Sequence, residues 1–171
     1  ALALWGLYVF LTMAEFLMLK IIGKMSTFDA VNHALTTLPT GGFSTHDASI
    51  AHFDSVAVEL IIVLFMFLAG VNFTLLWMFR DGQFKKALRD EELRYYVFYI
   101  FIALLIVFIA LMMSGDYSAP GALRDSLFQV VSLATSTGYG SADYIPWPVA
   151  THVVIFMLMI IGASAGSTGG G

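Results

Sequence analysis

Long apolar runs dominate the chain, and shorter stretches of polar and small residues separate them. Four runs approach the about 20 residues that a membrane-spanning helix needs: Ala1–Leu19, Val56–Phe79, Tyr95–Met113 and Pro148–Ile161. The last run is short because a glycine-rich stretch, 162–171, interrupts it. Glu15 and Glu59 lie inside two of the runs, so we expect them to face protein or water rather than lipid. The pattern predicts an all-α, multi-pass membrane protein.

Two shorter helices are predicted between the spans, over Phe28–Thr37 and Leu123–Ala134. The first follows Ser26-Thr-Phe-Asp29, which resembles a capping box with Asp in the place of Glu or Gln. The second follows a stretch with Pro120, a residue favoured at helix starts. Neither helix is long enough to cross a membrane. The chain therefore divides into two units, 1–80 and 95–171, each ordered as span, short helix, small-residue loop and span, with a connecting loop over 81–94.

The small-residue loops form an internal repeat. The stretch "TLPTGGFS" begins at residue 37 and "ATSTGYGS" begins at residue 134, which is 97 residues later. With this offset Thr40-Gly41 pairs with Thr137-Gly138, and Ser44 pairs with Ser141. Repetition of a whole unit of secondary structure predicts that the two loops do the same work in a pseudosymmetric molecule.

Charge gives the orientation and excludes one class of function. Only 12% of the residues are charged and 59% are hydrophobic, whereas a water-soluble domain has about 25% charged residues. A net charge of −4 without a basic tract argues against nucleic-acid binding. The loop between the second and third spans is predicted to be cytoplasmic by the positive-inside rule. It holds five of the eight basic residues: Arg80, Lys85, Lys86, Arg89 and Arg94.

A loop that re-enters the membrane leaves backbone groups that lipid cannot satisfy, so it must be buried in protein or line a watery path. Carbonyl oxygens arranged along such a path can replace the hydration shell of a cation. Glycine allows the dihedral angles that turn successive carbonyls the same way. A short helix that ends at the loop adds the negative end of its dipole. Both repeated loops meet these requirements.

Two motifs carry a resemblance to known transport proteins. Ser136-Thr-Gly-Tyr-Gly140 is similar to the TVGYG filter of potassium channels. The stretches "TLPTGGFST", "ATSTGYGSADY" and "GASAGSTGGG" together resemble the TrkH/KtrB family of bacterial potassium transport proteins over essentially the whole chain. The resemblance implies tandem repeats of the potassium-channel-like type, of which this chain would hold the second and third of four. A chain with two of the four filter loops is not expected to conduct by itself.

The resemblance also implies a set of site residues. K⁺ is expected at Thr40, Gly41, Thr137 and Gly138, in a filter whose carbonyl groups come from Leu38, Pro39, Thr40, Gly41, Thr135, Ser136, Thr137 and Gly138. The unequal loops predict looser selection of K⁺ over Na⁺ than in a fourfold-symmetric channel. Below the filter, the stretch 162–171 is expected to be an intramembrane gate built on Gly162, Gly166, Ser167, Thr168, Gly169, Gly170 and Gly171. The corresponding region of the first unit, Leu68–Leu75, is predicted to remain helical.

Further expectations concern partners and place. The resemblance implies K⁺ as the transported ion without an organic cofactor, a homodimer in the lipid bilayer of the bacterial inner membrane, and a cytoplasmic nucleotide-binding regulatory subunit similar to TrkA. The chain opens at Ala1 inside an apolar run and stops inside a glycine run, which we interpret as an internal portion of a longer protein.

Two alternatives remain open at this stage. Two copies of a two-unit cation channel subunit could complete one pore. Gly162-Ala-Ser-Ala-Gly166 also fits the G-x-S-x-G pattern of serine hydrolases, with Ser164 as the nucleophile and His33, His46, His52 or His152 as the base.

Overall fold

The computed structural model describes residues 2–170, which form eight α-helices and a short 3₁₀ segment, without strands. The helices are α1 (Leu2–Ile21), α2 (Thr27–Thr37), α3 (Val56–Ala69), α4 (Phe73–Arg80), α5 (Phe84–Ala87), α6 (Glu91–Ser114), α7 (Ala119–Ala134) and α8 (Val149–Ile161), and the 3₁₀ segment is Ser49–Phe53. Ala1 and Gly171, at the ends of the first predicted span and of the gate stretch, lie outside the described residues.

Two helices, α1 and α6, are long and apolar enough to cross a membrane by themselves. Helices α3 and α4 pass the same test only as a pair, and α8 is an apolar helix of 13 residues. All four predicted spans are therefore helical, and two of them are shorter than a full crossing. The fold class expected from the sequence is confirmed: the chain is an all-α integral membrane protein.

The two short helices are present and are anchored by hydroxyl caps. Ser26 accepts a hydrogen bond from the Asp29 amide at 3.0 Å, and Ser118 accepts one from the Gly121 amide at 3.4 Å. Helix α7 begins at Ala119, four residues earlier than predicted, because Ser118 caps it and Pro120 fits its first turn. Helix α6 likewise begins at Glu91 rather than Tyr95, behind a cap by Asp90.

Each short helix packs inside its own unit, and α3 joins the two units. Helix α2 packs against α1 and α3, whereas α7 packs against α6, α8 and α3. Buried apolar side chains from all of these helices form one continuous core. The two loops that follow α2 and α7 are consequently brought to the same side of α3.

The expectation of an unbroken second span is wrong. The chain bends by 104° between α3 and α4, across Gly70, Val71 and Asn72. The Tyr96 hydroxyl lies 2.2 Å from the position that a Cβ at residue 70 would take, so any larger residue there would have to displace the Tyr96 side chain. Asn72 caps α4 by accepting from the Thr74 amide at 2.9 Å. Local sequence is compatible with a helix here, and tertiary contacts decide against one.

Candidate functional site

The loop after α2 turns its amide groups back towards the helix. The amide of Thr40 donates to Thr37 O at 2.9 Å, and those of Gly41 and Gly42 donate to Thr36 O at 2.8 Å and 3.1 Å. Thr40 and Gly42 adopt left-handed backbone conformations, with φ of 55° and 66°. In a planar trans peptide each N–H points opposite to the C=O of the preceding residue. These three amides therefore turn the carbonyl groups of residues 39–41 away from the end of the helix.

The loop after α7 repeats this arrangement. The amide of Ser136 donates to Leu133 O at 3.1 Å, and those of Thr137 and Gly138 donate to Ser132 O at 2.9 Å and 3.2 Å. Ser136 and Gly138 have φ of 60° and 85°. The loops that follow α2 and α7 therefore have the same backbone shape.

The matching positions differ by 96 residues, so the offset of 97 predicted from the sequence is wrong. The left-handed residues Thr40 and Ser136 match, and Gly42 rather than Gly41 matches Gly138. A hydroxyl on each helix repeats the register, since Thr36 Oγ1 donates to Phe43 O at 2.8 Å and Ser132 Oγ to Tyr139 O at 2.7 Å. The sequence alignment matched Thr-Gly pairs, whereas the backbone matches Gly-aromatic pairs.

Six carbonyl oxygens, those of residues 40–42 and 136–138, accept no hydrogen bond from residues 2–170. The two loops also touch, because the position of a Cβ at Gly42 lies 1.9 Å from Thr137 O. The contact joins Gly42 to Thr137 and Gly138, while Thr40, Gly41 and Ser136 lie in the same two loops. The carbonyl oxygens of Leu38 and Thr135 likewise accept no hydrogen bond from residues 2–170. The Pro39 carbonyl accepts from the Thr40 hydroxyl at 2.7 Å.

The glycine-rich stretch lies in the break between α3 and α4. Its Ser164 amide donates to Gly70 O at 3.1 Å, and its Thr168 amide and hydroxyl donate to Ala69 O at 3.2 Å and 3.0 Å. In return, the Phe73 amide donates to Gly166 O at 3.2 Å. Each segment therefore supplies hydrogen-bond partners for backbone that the other leaves unpaired, as irregular structure at membrane depth requires.

Helix α6 holds the same stretch from the other side. The Tyr99 hydroxyl donates to Gly162 O at 2.6 Å, and the Ala165 amide donates to the Glu92 carboxylate. The stretch also reaches the loops that follow α2 and α7. The Thr40 hydroxyl donates weakly to Thr168 O at 3.4 Å, and Thr135 O lies 2.8 Å from the position of a Cβ at Gly169.

Comparison with known proteins decides the family. The sequence model of the family TrkH, described as a cation transport protein, matches residues 1–171. The chain belongs to the TrkH family.

Named relatives agree with this assignment. The chain is 38% identical over 170 residues to the Trk system potassium uptake protein TrkH of Halomonas elongata, covering 99% of this chain and 35% of that protein. It is 39% identical over 170 residues to TrkH of Escherichia coli K12, covering 98% of this chain and 35% of that protein. The crystal structure of the potassium transporter TrkH from Vibrio parahaemolyticus matches with a TM-score of 0.92 at 39% identity, covering 99% of this chain and 37% of that one. The chain spans about a third of the length of these TrkH proteins.

The serine hydrolase alternative is not supported, because TrkH proteins are transport proteins. The site geometry agrees. The Ser164 hydroxyl is buried and has no hydrogen-bond partner among residues 2–170. His33 contacts Ser44, and His152 contacts the Tyr144 carbonyl. His46 and His52 stack on each other with ring centroids 3.6 Å apart.

The two short helices, α2 and α7, are tied near their first turns by different ionic groups. Asp29 on α2 accepts from the Thr45 hydroxyl at 2.6 Å, and hydrogen bonds from Ser26 and then Thr45 lower its pKa. Arg124 on α7 donates to both oxygens of Glu59, at 2.7 Å and 2.8 Å. Those bonds raise the pKa of Arg124. The first contact ties the start of α2 to Thr45, and the second ties the start of α7 to α3.

Several residues of the site were missed from the sequence. Gly42 carries the left-handed turn of the first loop, and the fully buried Tyr139 crosses from the second loop to α2. Its hydroxyl bonds Thr36 Oγ1 at 2.6 Å, and burial raises the pKa of Tyr139 to about 12. Aligning Gly42-Phe43 with Gly138-Tyr139 in the sequence would have identified Gly42 as a site residue. No signal in the sequence identifies Tyr99 and Glu92 as contacts of the glycine-rich stretch.

Proposed function

We propose that the chain forms part of a K⁺ pathway across the bacterial inner membrane, with the carbonyl groups of its two loops lining a selectivity filter. The observation that carries this proposal is the set of six carbonyl oxygens on two touching loops that accept no hydrogen bond from residues 2–170. Lone pairs left unbound in a membrane protein favour a ligand that needs them, and a cation shedding its water does. The names of the relatives, which are potassium uptake proteins, support K⁺ as that cation.

The ion sites are proposed at Thr40, Gly41, Thr137 and Gly138, with Gly42 and Ser136 as additional carbonyl donors. Both α2 and α7 end at these loops, so the negative ends of two helix dipoles favour a cation between them. The loops supply one side of a filter, and further units of the same kind complete it in the whole protein. A homodimer and a TrkA-like nucleotide-binding subunit on the cytoplasmic side are proposed on the family resemblance.

Growth of a K⁺-uptake-deficient bacterium at low K⁺ tests the filter. The complete protein should rescue growth, and Gly138→Ser should abolish the rescue, because Gly138 has φ of 85° in a loop whose carbonyls would bind the ion. Gly82→Ser is the matched control. Gly82 also has positive φ, 74°, and neither glycine has an atom within 4 Å of its Cβ position. If Gly138→Ser and Gly82→Ser rescued growth equally, the proposed role of the second loop in a filter would be refuted.

We further propose that residues 162–171 act as the gate below the filter. The stretch bonds the α3–α4 break and touches both loops, so it lies where it can block passage. Shortening it should raise K⁺ flux in the complete protein. Tyr99→Phe, which removes the bond to Gly162 O, should raise flux more mildly, while Tyr95→Phe on the exposed side of α6 should not. Unchanged flux in both the shortened protein and Tyr99→Phe would contradict a gating role.

A further inference from the structure

A short segment of the first unit, residues 45–53, contacts the end of the loop after α7. The amide of Ala51 donates to Gly140 O at 3.1 Å, and the Gly140 amide donates to Ser49 Oγ at 3.2 Å. Ile50, which lies between these two contacts, is fully buried. Both backbone polar groups of Gly140 are therefore held by residues of the other unit, and we call residues 45–53 the bridging segment.

The bridging segment is itself attached to α2. Thr45 Oγ1 donates to a carboxylate oxygen of Asp29 at 2.6 Å, and His46 Nε2 lies 3.4 Å from the same oxygen. Within the segment, the Ser49 amide donates to His46 O at 2.9 Å, and the His46 ring stacks on the ring of His52. A segment that is fixed to one short helix thus holds the loop that follows the other short helix.

The first loop ends in a different contact. At the 96-residue offset Gly140 matches Ser44. The Ser44 hydroxyl bonds Nε2 of His33, on α2, at 3.0 Å and accepts from the His46 amide at 3.2 Å. The end of the first loop is therefore held by the helix that precedes it, whereas the end of the second loop is held by the other unit.

The contact at Gly140 bounds the unpaired carbonyl groups of the second loop. The amides of residues 136–138 bond the end of α7, and the Tyr139 carbonyl accepts from Ser132 Oγ at 2.7 Å. Only Tyr139 separates Gly140 from the carbonyl groups of residues 136–138. Since the peptide units between them are planar and few, a shift of Gly140 changes where these carbonyl groups point.

The backbone of Ser49 indicates that its hydroxyl is needed. Ser49 has φ of 53°, in the left-handed region that residues other than glycine rarely adopt. Glycine would take this conformation without a steric penalty, but it has no oxygen to offer Gly140. The local conformation therefore favours glycine, and the contact with the second loop favours serine.

We propose that Ser49 is a positioning residue for the second loop. By accepting from the Gly140 amide, its hydroxyl sets where the carbonyl groups of residues 136–138 lie relative to the first unit. Ser49 acts through Gly140 and does not contact the ion. This inference rests on the proposed filter function.

Two substitutions in the complete protein separate the hydroxyl from the backbone conformation. Ser49→Ala and Ser49→Gly both remove the oxygen, so each should lower the K⁺/Na⁺ permeability ratio about threefold, as expected for one lost hydrogen bond. Ser49→Gly also relieves the left-handed strain, so it should unfold at a higher temperature than Ser49→Ala. If Ser49→Gly kept the ratio of the unmodified protein, the hydroxyl would have no role and the proposal would be overturned.

Ser141→Ala is the matched control, because it removes a hydroxyl next to Gly140 that has no hydrogen-bond partner among residues 2–170. Its K⁺/Na⁺ ratio should equal that of the unmodified protein. A loss as large as in the two Ser49 variants would show that the effect does not follow the bond to Gly140, and it would overturn the proposal.

A second measurement does not depend on transport. Hydrogen exchange of the Gly140 amide, followed by mass spectrometry of the purified protein, should be about threefold faster in both Ser49 variants. Unchanged exchange would overturn the proposal. Faster exchange with an unchanged ratio, while Gly138→Ser still abolishes K⁺ uptake, would overturn the positioning role and leave the filter standing. Full K⁺ uptake by Gly138→Ser would overturn the filter and the positioning role together.

Discussion

The two loops of the proposed filter share one backbone shape and differ in the side chains that support them. In the second loop, Ser132 of the preceding helix bonds the Tyr139 carbonyl, and the Tyr139 ring is fully buried. In the first loop, Thr36 bonds the Phe43 carbonyl and also the Tyr139 hydroxyl that arrives from the second loop, while the Phe43 ring is 76% exposed. A side chain of the second loop, Tyr139, thus supports the residue that holds the first loop. The repeat conserves backbone geometry, and the side chains behind it make the support of the two loops unequal.

The largest expected effect on K⁺ uptake comes from comparing substitutions at the two glycines of the first loop. Gly42→Ala places a Cβ 1.9 Å from Thr137 O in a residue with φ of 66°, so the loops must separate and K⁺ uptake should fall by about 100-fold or more. Gly41→Ala is the matched control, because its Cβ would meet ordinary contacts at 3.5 Å. Uptake assays of the complete protein would contradict the 96-residue register if Gly41→Ala were the more damaging change.

Gly138→Ala sharpens the same comparison between loops. Gly138 has φ of 85° and open space around its Cβ position, so alanine meets only the left-handed strain of about 1–2 kcal/mol. Uptake should fall by about tenfold, clearly less than for Gly42→Ala. Equal loss in the two variants, measured in parallel, would mean that the contact between Gly42 and Thr137 does not restrict the first loop.

Much of the fold could be predicted from the sequence. Apolar runs located every spanning helix. Ser26 and Pro120 indicated where the two short helices begin, although α7 starts at Ala119, four residues before the predicted Leu123. The break at Gly70 could not be predicted, because the surrounding residues favour a helix and the bend depends on Tyr96 and the distant Ser164. The filter register was missed by one residue because two adjacent glycines in the first loop look equivalent until their dihedral angles are known.

The next prediction concerns stability and the outer anchors. Glu59 is buried and receives two hydrogen bonds from Arg124, whereas Asp29 at the start of α2 receives its hydrogen bonds from the hydroxyl groups of Ser26 and Thr45. Glu59→Gln should lower the free energy of unfolding by about 2 kcal/mol, since Arg124 is partly exposed and retains some hydration. Thermal unfolding of the purified protein would check this, with Asp54→Asn, at the exposed second contact of Arg124, as a control that changes little.

Removing the bracing hydroxyls should have a smaller effect on selectivity. Thr36→Val removes bonds to both the Phe43 carbonyl and Tyr139, so the K⁺/Na⁺ ratio should fall about fivefold. Ser132→Ala removes one bond, to the Tyr139 carbonyl, and should lower the ratio about twofold to threefold. Ion-flux measurements in vesicles would decide, and a larger loss at Ser132 would contradict the view that the first loop depends on shared support.

The smallest effect, on stability, is expected for Asp29 and Asp125, which occupy matching positions at the 96-residue offset. Hydroxyl bonds lower the pKa of Asp29, so its contribution to stability is present above the unfolded pKa and is lost as the pH falls through the folded value. Burial raises the pKa of Asp125, so its contribution has the opposite sign and falls as the pH rises. At neutral pH Asp29→Asn should destabilise the protein and Asp125→Asn should slightly stabilise it, each by under about 1 kcal/mol. Thermal unfolding at about pH 7 and about pH 3 tests both signs.

The break between α3 and α4 has a consequence for how passage begins. The carbonyls of Ala69 and Gly70 are satisfied by the glycine-rich stretch while it occupies the bend. Withdrawing that stretch leaves both oxygens bare at a depth where lipid offers no donor, so water must arrive as the stretch departs. In the proposed gate, opening and wetting would therefore be a single event.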